Sequence, residues 1–153
     1  MSQELILTIG CQGSGKSTWA MEYIANHPDV VYLSPDKLRA EFGKGVHDQE
    51  VSVYGILKNR LTTALALGKS VLLDATFIKK KWRKSSLDVG KGFKAKTIAH
   101  VFIADEKTLI ARVRSRAEQG GLNVPVDVIK QYRNLFQMPN TSEFNEVIIH
   151  KQK

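Results

Sequence analysis

Apolar residues fall along the chain in short blocks separated by stretches of helical periodicity. The blocks are Leu5-Ile6-Leu7-Thr8-Ile9, Val30-Val31-Tyr32-Leu33, Val71-Leu72-Leu73-Asp74, Thr97 to Ala104 and Glu146 to His150. Blocks without regular alternation are what strands covered on both faces require. Between them, Thr18 to Asn26 lacks Gly and Pro and reads as a helix, closed by Asn26-His27-Pro28-Asp29. Ser34-Pro35 has the form of a helix start, with Ser as N-cap and Pro at the first helical position. It predicts a short helix over Asp36 to Phe42, ended by Gly43 and Gly45. Asp48 is placed to cap a longer helix with Tyr54, Leu57, Leu61, Ala64 and Leu65 on its apolar side, and Gly68 to stop it. Lys79 to about Val89 reads as a basic helix closed by Gly90 and Gly92. Asp105 caps a helix carrying Leu109, Val113 and Ala117 and stopped by Gly120-Gly121. Pro125 opens a last helix with Ile129, Tyr132 and Phe136 on one side, ended by Met138-Pro139-Asn140. Strands alternating with helices predict an α/β fold of three layers: a parallel sheet of about five strands with helices on both faces. No internal repeat, low-complexity segment or linker interrupts the pattern, so residues 1–153 are expected to form a single domain.

One stretch carries specific chemistry. Gly10-Cys11-Gln12-Gly13-Ser14-Gly15-Lys16-Ser17 satisfies G-x-x-x-x-G-K-[ST] at every fixed position, and it lies between the first strand and the first helix. Glycines let the backbone curl with its N–H groups turned inward on an anion, and the helix beginning there adds its unpaired N–H groups and positive dipole end. Gly10, Gln12, Gly13, Ser14, Gly15, Lys16, Ser17 and Thr18 are therefore the candidate binding set for a nucleoside triphosphate, ATP or another. Lys16 would reach the β- and γ-phosphates and the Ser17 hydroxyl would hold Mg²⁺. The fold expected is that of a P-loop protein.

Composition narrows the class. Hydrophobic content of 42% and charged content of 25% are globular values and call for no disordered arm. Cys11 is the only cysteine, which excludes an intramolecular disulfide and suits a reducing cytoplasm; a packing role is expected for it. His27, His47, His100 and His150 make no metal-ligand spacing. The early apolar run is too short for a signal peptide, and no stretch approaches membrane-spanning length. The expectation is a cytoplasmic protein with no membrane partner, its oligomeric state left open. Net charge is +8, and the segment Lys79–Lys96 holds eight bases against Asp88 alone, so it supplies +7 of that excess. Such a concentration points to a polyanionic partner, nucleic acid, along this segment; the plain alternative is a solvated helix face.

Further candidates follow from placement. Asp74 ends an apolar strand, where a P-loop protein puts a second acid to partner Mg²⁺. Ala75 stands next, where a mechanical ATPase commonly has a glutamate to activate water, which favours transfer to a hydroxyl over hydrolysis. Asp36 lies just after the second strand, at the same sheet edge as the phosphate loop, with Arg39 three residues on and on the same helix face. The pair reads equally as a helix-start ion pair or as a general base toward an acceptor hydroxyl with an anion-binding arginine. Arg112 and Arg116 share a face of their predicted helix while Arg114 points away. Arg116 precedes the glycine-containing Ala117-to-Val124 stretch, which reads as a lid, and could reach a transferring phosphoryl group; the plain alternative, which spacing alone favours, is a solvated charge run.

The run Leu7-Thr8-Ile9-Gly10-Cys11-Gln12-Gly13-Ser14-Gly15-Lys16-Ser17-Thr18-Trp19-Ala20 resembles the opening of the phage polynucleotide 5′-hydroxyl kinases, with Gln12 where that family usually has proline. Ser34-Pro35-Asp36-Lys37-Leu38-Arg39 is similar to the family's acceptor-side motif. The resemblance implies that Asp36 is the general base and that Arg39 binds the acceptor's 3′-phosphate. Asp74-Ala75-Thr76 resembles an Asp-Thr-Asn motif, its asparagine replaced by Thr76. Arg112 to Arg116 with Val124-Pro125 resembles the family's lid, which implies donor-phosphate contacts for Arg116 and, less closely matched, Arg112. No D-x-D-G-T run is found, so the 3′-phosphatase that often accompanies such kinases is expected to be absent.

The reading is a P-loop kinase in which Lys16, Asp36, Arg39, Asp74 and Arg116 carry the chemistry, Ser17 and Asp74 hold Mg²⁺, and the acceptor is the 5′-hydroxyl end of DNA or RNA. Alternatives are a kinase for a hydroxymethyl pyrimidine base within DNA, a small-metabolite kinase, and a nucleotide-dependent switch with no acceptor. The absence of N-K-x-D argues against a guanine-reading switch.

Overall fold

The computed structural model describes residues 3–11, 13–42, 50–120 and 124–151. The chain runs through β1 (Glu4–Ile9), α1 (Lys16–Asn26), β2 (Val31–Leu33), α2 (Pro35–Phe42), α3 (Glu50–Ala66), β3 (Val71–Asp74), α4 (Lys80–Gly92), β4 (Lys96–Ile103), α5 (Glu106–Glu118), α6 (Val126–Leu135) and β5 (Glu146–Lys151). All five strands pair in parallel, in the order β2-β3-β1-β4-β5. The expected α/β architecture is the one observed. No helix among the described residues is long and apolar enough to cross a membrane.

Both faces of the sheet are covered, which is why its strands lack alternation. Leu5, Leu7 and Ile9 join Leu57, Leu61 and Leu65 of α3 and Leu87 of α4 in one cluster. Ile6, Leu72 and Ile98 meet Ala20 of α1 on the other face. A third cluster, with Leu109, Val113, Ile129, Ile78 and Cys11, packs α5 and α6 against the phosphate loop. Cys11 has the packing role expected of it, and burial pushes its thiol pKa up.

Local signals behave largely as their chemistry requires. Ser34 Oγ accepts the Lys37 N–H at 2.9 Å, and Asp105 Oδ1 accepts the Thr108 N–H at 2.7 Å. Gly68 takes φ 81° beyond the end of α3, and the Lys69 N–H closes on the Ala64 carbonyl at 3.0 Å. The predicted signals at Gly43, Gly45, Asp48 and Gly121 lie outside the described residues.

Three expectations need correction. Helix α4 runs past Gly90, where the sequence first closes it, and ends at Gly92, the second predicted stop; Gly90 lets the helix press on the sheet, for a Cβ there would lie 2.6 Å from Leu5 Cδ2. The turn that leaves the helix is made by Lys94, at φ 60°. Helix α6 ends at Leu135 rather than at Met138, because Phe136 turns extended and the Gln137 N–H donates to the Ile78 carbonyl at 2.7 Å. On α3 the buried row is Val53, Leu57, Leu61 and Ala64–Leu65, whereas Tyr54 is 52% exposed.

Two buried polar features hold the layers. Arg83 of α4 is 1% exposed and therefore no part of a basic surface. Its Nε and Nη2 donate to Glu143 Oε2 and Oε1 at 2.7 and 2.8 Å, and its Nη1 donates to the carbonyls of Phe77 and Gln137 at 2.8 and 3.0 Å. On the α1 face, His100 and His150 share a hydrogen bond of 2.9 Å, with the Trp19 ring 4.1 Å from the His100 ring. Burial, and then the neighbouring His150, push the His100 pKa down to about 4.

Removing one partner of the Arg83–Glu143 pair strands the other charge. Arg83→Met should cost about 3–5 kcal/mol in urea unfolding, with much of it regained in Arg83→Met/Glu143→Leu, which leaves no stranded charge. The histidine predicts an acid slope of defined sign. His100 binds a proton more readily unfolded than folded, so its contribution is full above about pH 6.5 and is lost as pH falls toward 4. Melting temperature should fall across that window, and less steeply in His100→Phe, which keeps a ring but has no titrating group.

Candidate active site

Parallel pairing of β1 with β3 puts Thr8 beside Asp74 and brings two chain reversals to one sheet edge, where ligand crevices of open α/β sheets form. The Gly10 N–H donates to the Thr76 carbonyl at 3.1 Å, tying the start of the phosphate loop to the segment after β3. Gly10 is packed too closely for a side chain: a Cβ would meet Ser14 Oγ at 2.7 Å and the Phe102 carbonyl at 2.9 Å. Gly13 (φ 80°) and Gly15 (φ 93°) take left-handed backbone. A Cβ on Gly13 would strike the Leu109 carbonyl at 2.9 Å. The loop is a tight curl wedged between β4 and α5. Gln12, assigned to the cradle from sequence, lies outside the described residues. Ser14 is buried, and its hydroxyl has no hydrogen-bond partner among the described residues.

The charged centre lies at the start of α1. Lys16 is buried, and burial pushes its pKa down, while Asp74 and then Asp36 act in the opposite sense. Asp74 is also buried and accepts three hydroxyls. Thr8 Oγ1 donates to its Oδ1 at 2.7 Å, and Ser17 Oγ and Tyr32 Oη donate to its Oδ2 at 3.1 and 2.6 Å. Sequence reasoning does not single out Tyr32. Its burial and its hydrogen bond to Asp74 push the phenol pKa well up, so it stays a donor. A strand tyrosine carries no local signal of such a role, which depends on the β2–β3 register.

Across the cleft stands the second carboxylate. Asp36 is 85% exposed, and Arg39 Nη1 donates to its Oδ1 at 2.7 Å, so the predicted i,i+3 pair forms. The two also line a cleft of about 180 Å³ together with Lys16, Ser17, Tyr32, Tyr54, Asp74, Thr76 and Tyr132. Asp36 thus pairs with Arg39 and lines the same cleft as Lys16 and Asp74.

The arginines of α5 separate as their spacing requires. Arg112 and Arg116 line a recess of about 480 Å³ with Gly15, Thr18, Trp19 and His150, on the α1 side of the loop. Arg112 Nη1 donates to the Gly13 carbonyl at 3.4 Å, and Arg114 is exposed elsewhere. Only part of the predicted lid is described, since residues 121–123 are outside it.

The basic segment divides in space. Arg83 is interior, Lys84 pairs with Asp88 at 2.7 Å and Lys96 with Glu146 at 3.0 Å. Lys79, Lys80, Lys81, Lys84 and Lys91 line a groove of about 530 Å³ between α4 and the segment holding Gln137 and Ser142. Thr76, which lines the cleft, and Lys79, which lines the groove, are three residues apart in the chain.

Comparison with known proteins bears on the fold and the domain family. Residues 5–139 match the family model described as AAA domain. Heterogeneous nuclear ribonucleoprotein U-like protein 2 of Mus musculus is 22% identical over 96% of this chain, which spans about a fifth of that protein's length (21%). Among solved structures, a putative kinase from Chloroflexus aurantiacus aligns with TM-score 0.79 at 17% identity, over 99% of this chain and 89% of the other. A chain of the Pnkp1/Rnl/Hen1 RNA repair complex gives 0.79 at 23%, over 88% and 44%. A fungal RNA kinase gives 0.71 at 19%, over 99% and 75%. A gluconokinase from Sinorhizobium meliloti gives 0.65 at 17%, over 97% and 82%. At such identities the structures share the fold. With the phosphate loop at residues 10–17 inside the matched span, the chain belongs to the AAA domain family of P-loop proteins.

Proposed function

We propose that the chain is a P-loop kinase that moves the γ-phosphoryl group of ATP, or of another nucleoside triphosphate, to a hydroxyl on nucleic acid, the 5′-hydroxyl end of DNA or RNA. The observation that carries this reading is the single cleft in which Lys16, Ser17 and Asp74 face Asp36 and Arg39. A donor-side charge set and an acceptor-side carboxylate in one space suit transfer between two bound substrates.

In this reaction Lys16 and the loop amides hold the β- and γ-phosphates. Ser17 Oγ and Asp74 Oδ2, 3.1 Å apart, are hard oxygen donors of the kind Mg²⁺ takes. The ion, when bound, neutralises charge on the phosphate oxygens. Asp36 accepts the hydroxyl proton as the acceptor oxygen bonds to phosphorus, the bond from phosphorus to the bridging oxygen breaks, and the nucleoside diphosphate leaves. Arg39 binds a phosphate of the acceptor, while Arg116 and Arg112 hold the donor from α5. The acceptor strand leaves along the groove of Lys79, Lys80, Lys81, Lys84 and Lys91. Likeness of fold to an RNA repair complex chain and an RNA kinase supports a nucleic-acid acceptor. A small-metabolite kinase is the second reading, supported by the shared fold with a gluconokinase.

Transfer of label from γ-labelled ATP to matched oligonucleotides tests the proposal. Label should appear on 5′-hydroxyl ends and not on 5′-phosphate ends. Labelling of gluconate or another small polyol with none on oligonucleotides would establish the second reading. Lys16→Ala should abolish transfer in a folded protein. Asp36→Asn should cut turnover by about two to four orders of magnitude with nucleotide binding intact. The groove makes a separate prediction: Lys80, Lys81, Lys84 and Lys91 replaced together by Gln should raise KM for long oligonucleotides. The same variant should flatten the salt dependence by about 0.7 log units per log of salt for each single-strand phosphate that is no longer neutralised. Arg83 is left in place, since its charge is interior.

A further inference from the structure

The cleft has an aromatic side chain that the reaction above does not use. Tyr54 lies on α3 next to buried Val53, yet is 52% exposed. Its ring and hydroxyl have no stacking or hydrogen-bond partner among the described residues. It nevertheless lines the same cleft as Asp36 and Arg39. The other tyrosines there are committed: Tyr32 donates to Asp74, with Lys37 Nζ 5.5 Å from its ring centre, and Tyr132 packs against the cluster of Cys11 and Ile129. An exposed, unpartnered ring on a helix at the edge of a polar cleft is a stacking platform. Size points the same way. About 180 Å³ lies below the usual volume of a pocket that encloses a small ligand, so the cleft takes the hydroxyl-bearing end of the acceptor and leaves the next group at its mouth.

We propose that Tyr54 selects the acceptor by stacking on the base of its terminal nucleotide. This rests on the phosphotransfer reading and sharpens it: the acceptor hydroxyl is one that carries a planar base within one sugar of the reacting oxygen. A sugar ring could also lie on a tyrosine, and the experiment separates the two.

The acceptors are a 5′-hydroxyl oligonucleotide with an ordinary terminal base and the same oligonucleotide with an abasic terminal residue. Each is given to wild type, Tyr54→Phe and Tyr54→Ala, and transfer is measured as kcat and KM. Binding is followed separately by fluorescence of a terminal 2-aminopurine, so that stacking is read without turnover. Wild type should prefer the base-bearing end by about 5- to 100-fold, mainly through KM, and should quench the 2-aminopurine. Tyr54→Phe should keep both properties; Tyr54→Ala should lose both with ATP affinity unchanged. Tyr54 is exposed, so its truncation leaves the core intact. Equal transfer to base-bearing and abasic ends by wild type, or an undiminished preference and quench in Tyr54→Ala, would overturn the proposal while leaving oligonucleotide phosphorylation standing. Labelling of small polyols alone, with no quench by wild type, would overturn both.

Discussion

The site depends first on one buried carboxylate. Parallel pairing of β1 with β3 fixes Asp74 beside Thr8, and hydroxyls from β1, α1 and β2 then converge on it. Three donors leave that side chain little freedom to turn. It stands near Lys16, whose ammonium is withdrawn from water at a cost that Asp74 offsets. A fixed anion beside a buried cation is charge arranged before any ligand arrives, which is how such sites stabilise developing charge without reorganising. Shifting β3 by one register position would send Asp74 to the other face of the sheet and leave Lys16 buried without its largest compensating charge.

Most of the frame around this centre is local in origin, and so it is legible in the sequence. The phosphate loop, the Ser34 and Asp105 caps, and the strands covered on both faces each declare themselves within a few residues. The features that escape such a reading depend on distance in the chain or on small angles. Arg83 sits in a run of lysines and reads as one of them, but its partner Glu143 is sixty residues away and the pair forms only once α4 docks. Tyr32 reaches Asp74 because β2 pairs with β3 rather than with β1, which follows from the strand order and not from the sequence of β2. His100 and His150 meet because β4 and β5 pair with Phe102 opposite His150, putting the two imidazoles on one face, two positions apart. Tyr54 and Val53 differ by a single step of about 100° around α3. Periodicity finds the helix more surely than it finds which of two adjacent residues faces inward.

The basic segment shows how a charge count changes meaning on folding. Eight bases against one acid look like one continuous face. Packing removes Arg83 from solvent, while Asp88 and Glu146 each neutralise a lysine. The buried arginine still serves the surface, because it bonds both the Phe77 carbonyl, just before α4, and the Gln137 carbonyl on the opposite wall. The lysine groove is held open by a base of the segment that does not itself line it.

The pairing of Asp36 with Arg39 bears on why a site of this kind would wait for its acceptor. At rest the carboxylate accepts from the guanidinium at 2.7 Å, so its Oδ1 is already engaged. In the proposed reaction an acceptor phosphate competes for Arg39 and frees Asp36 Oδ1 to accept from the arriving hydroxyl. Water carries no phosphate with which to draw Arg39 away, and Ala75 follows Asp74 where a mechanical ATPase commonly has a glutamate. The exposed ion pair, weak by itself at roughly a few tenths of a kcal/mol as such helix pairs usually are, is easily exchanged. Its weakness suits it to favour transfer to a bound hydroxyl over loss of the phosphoryl group to solvent.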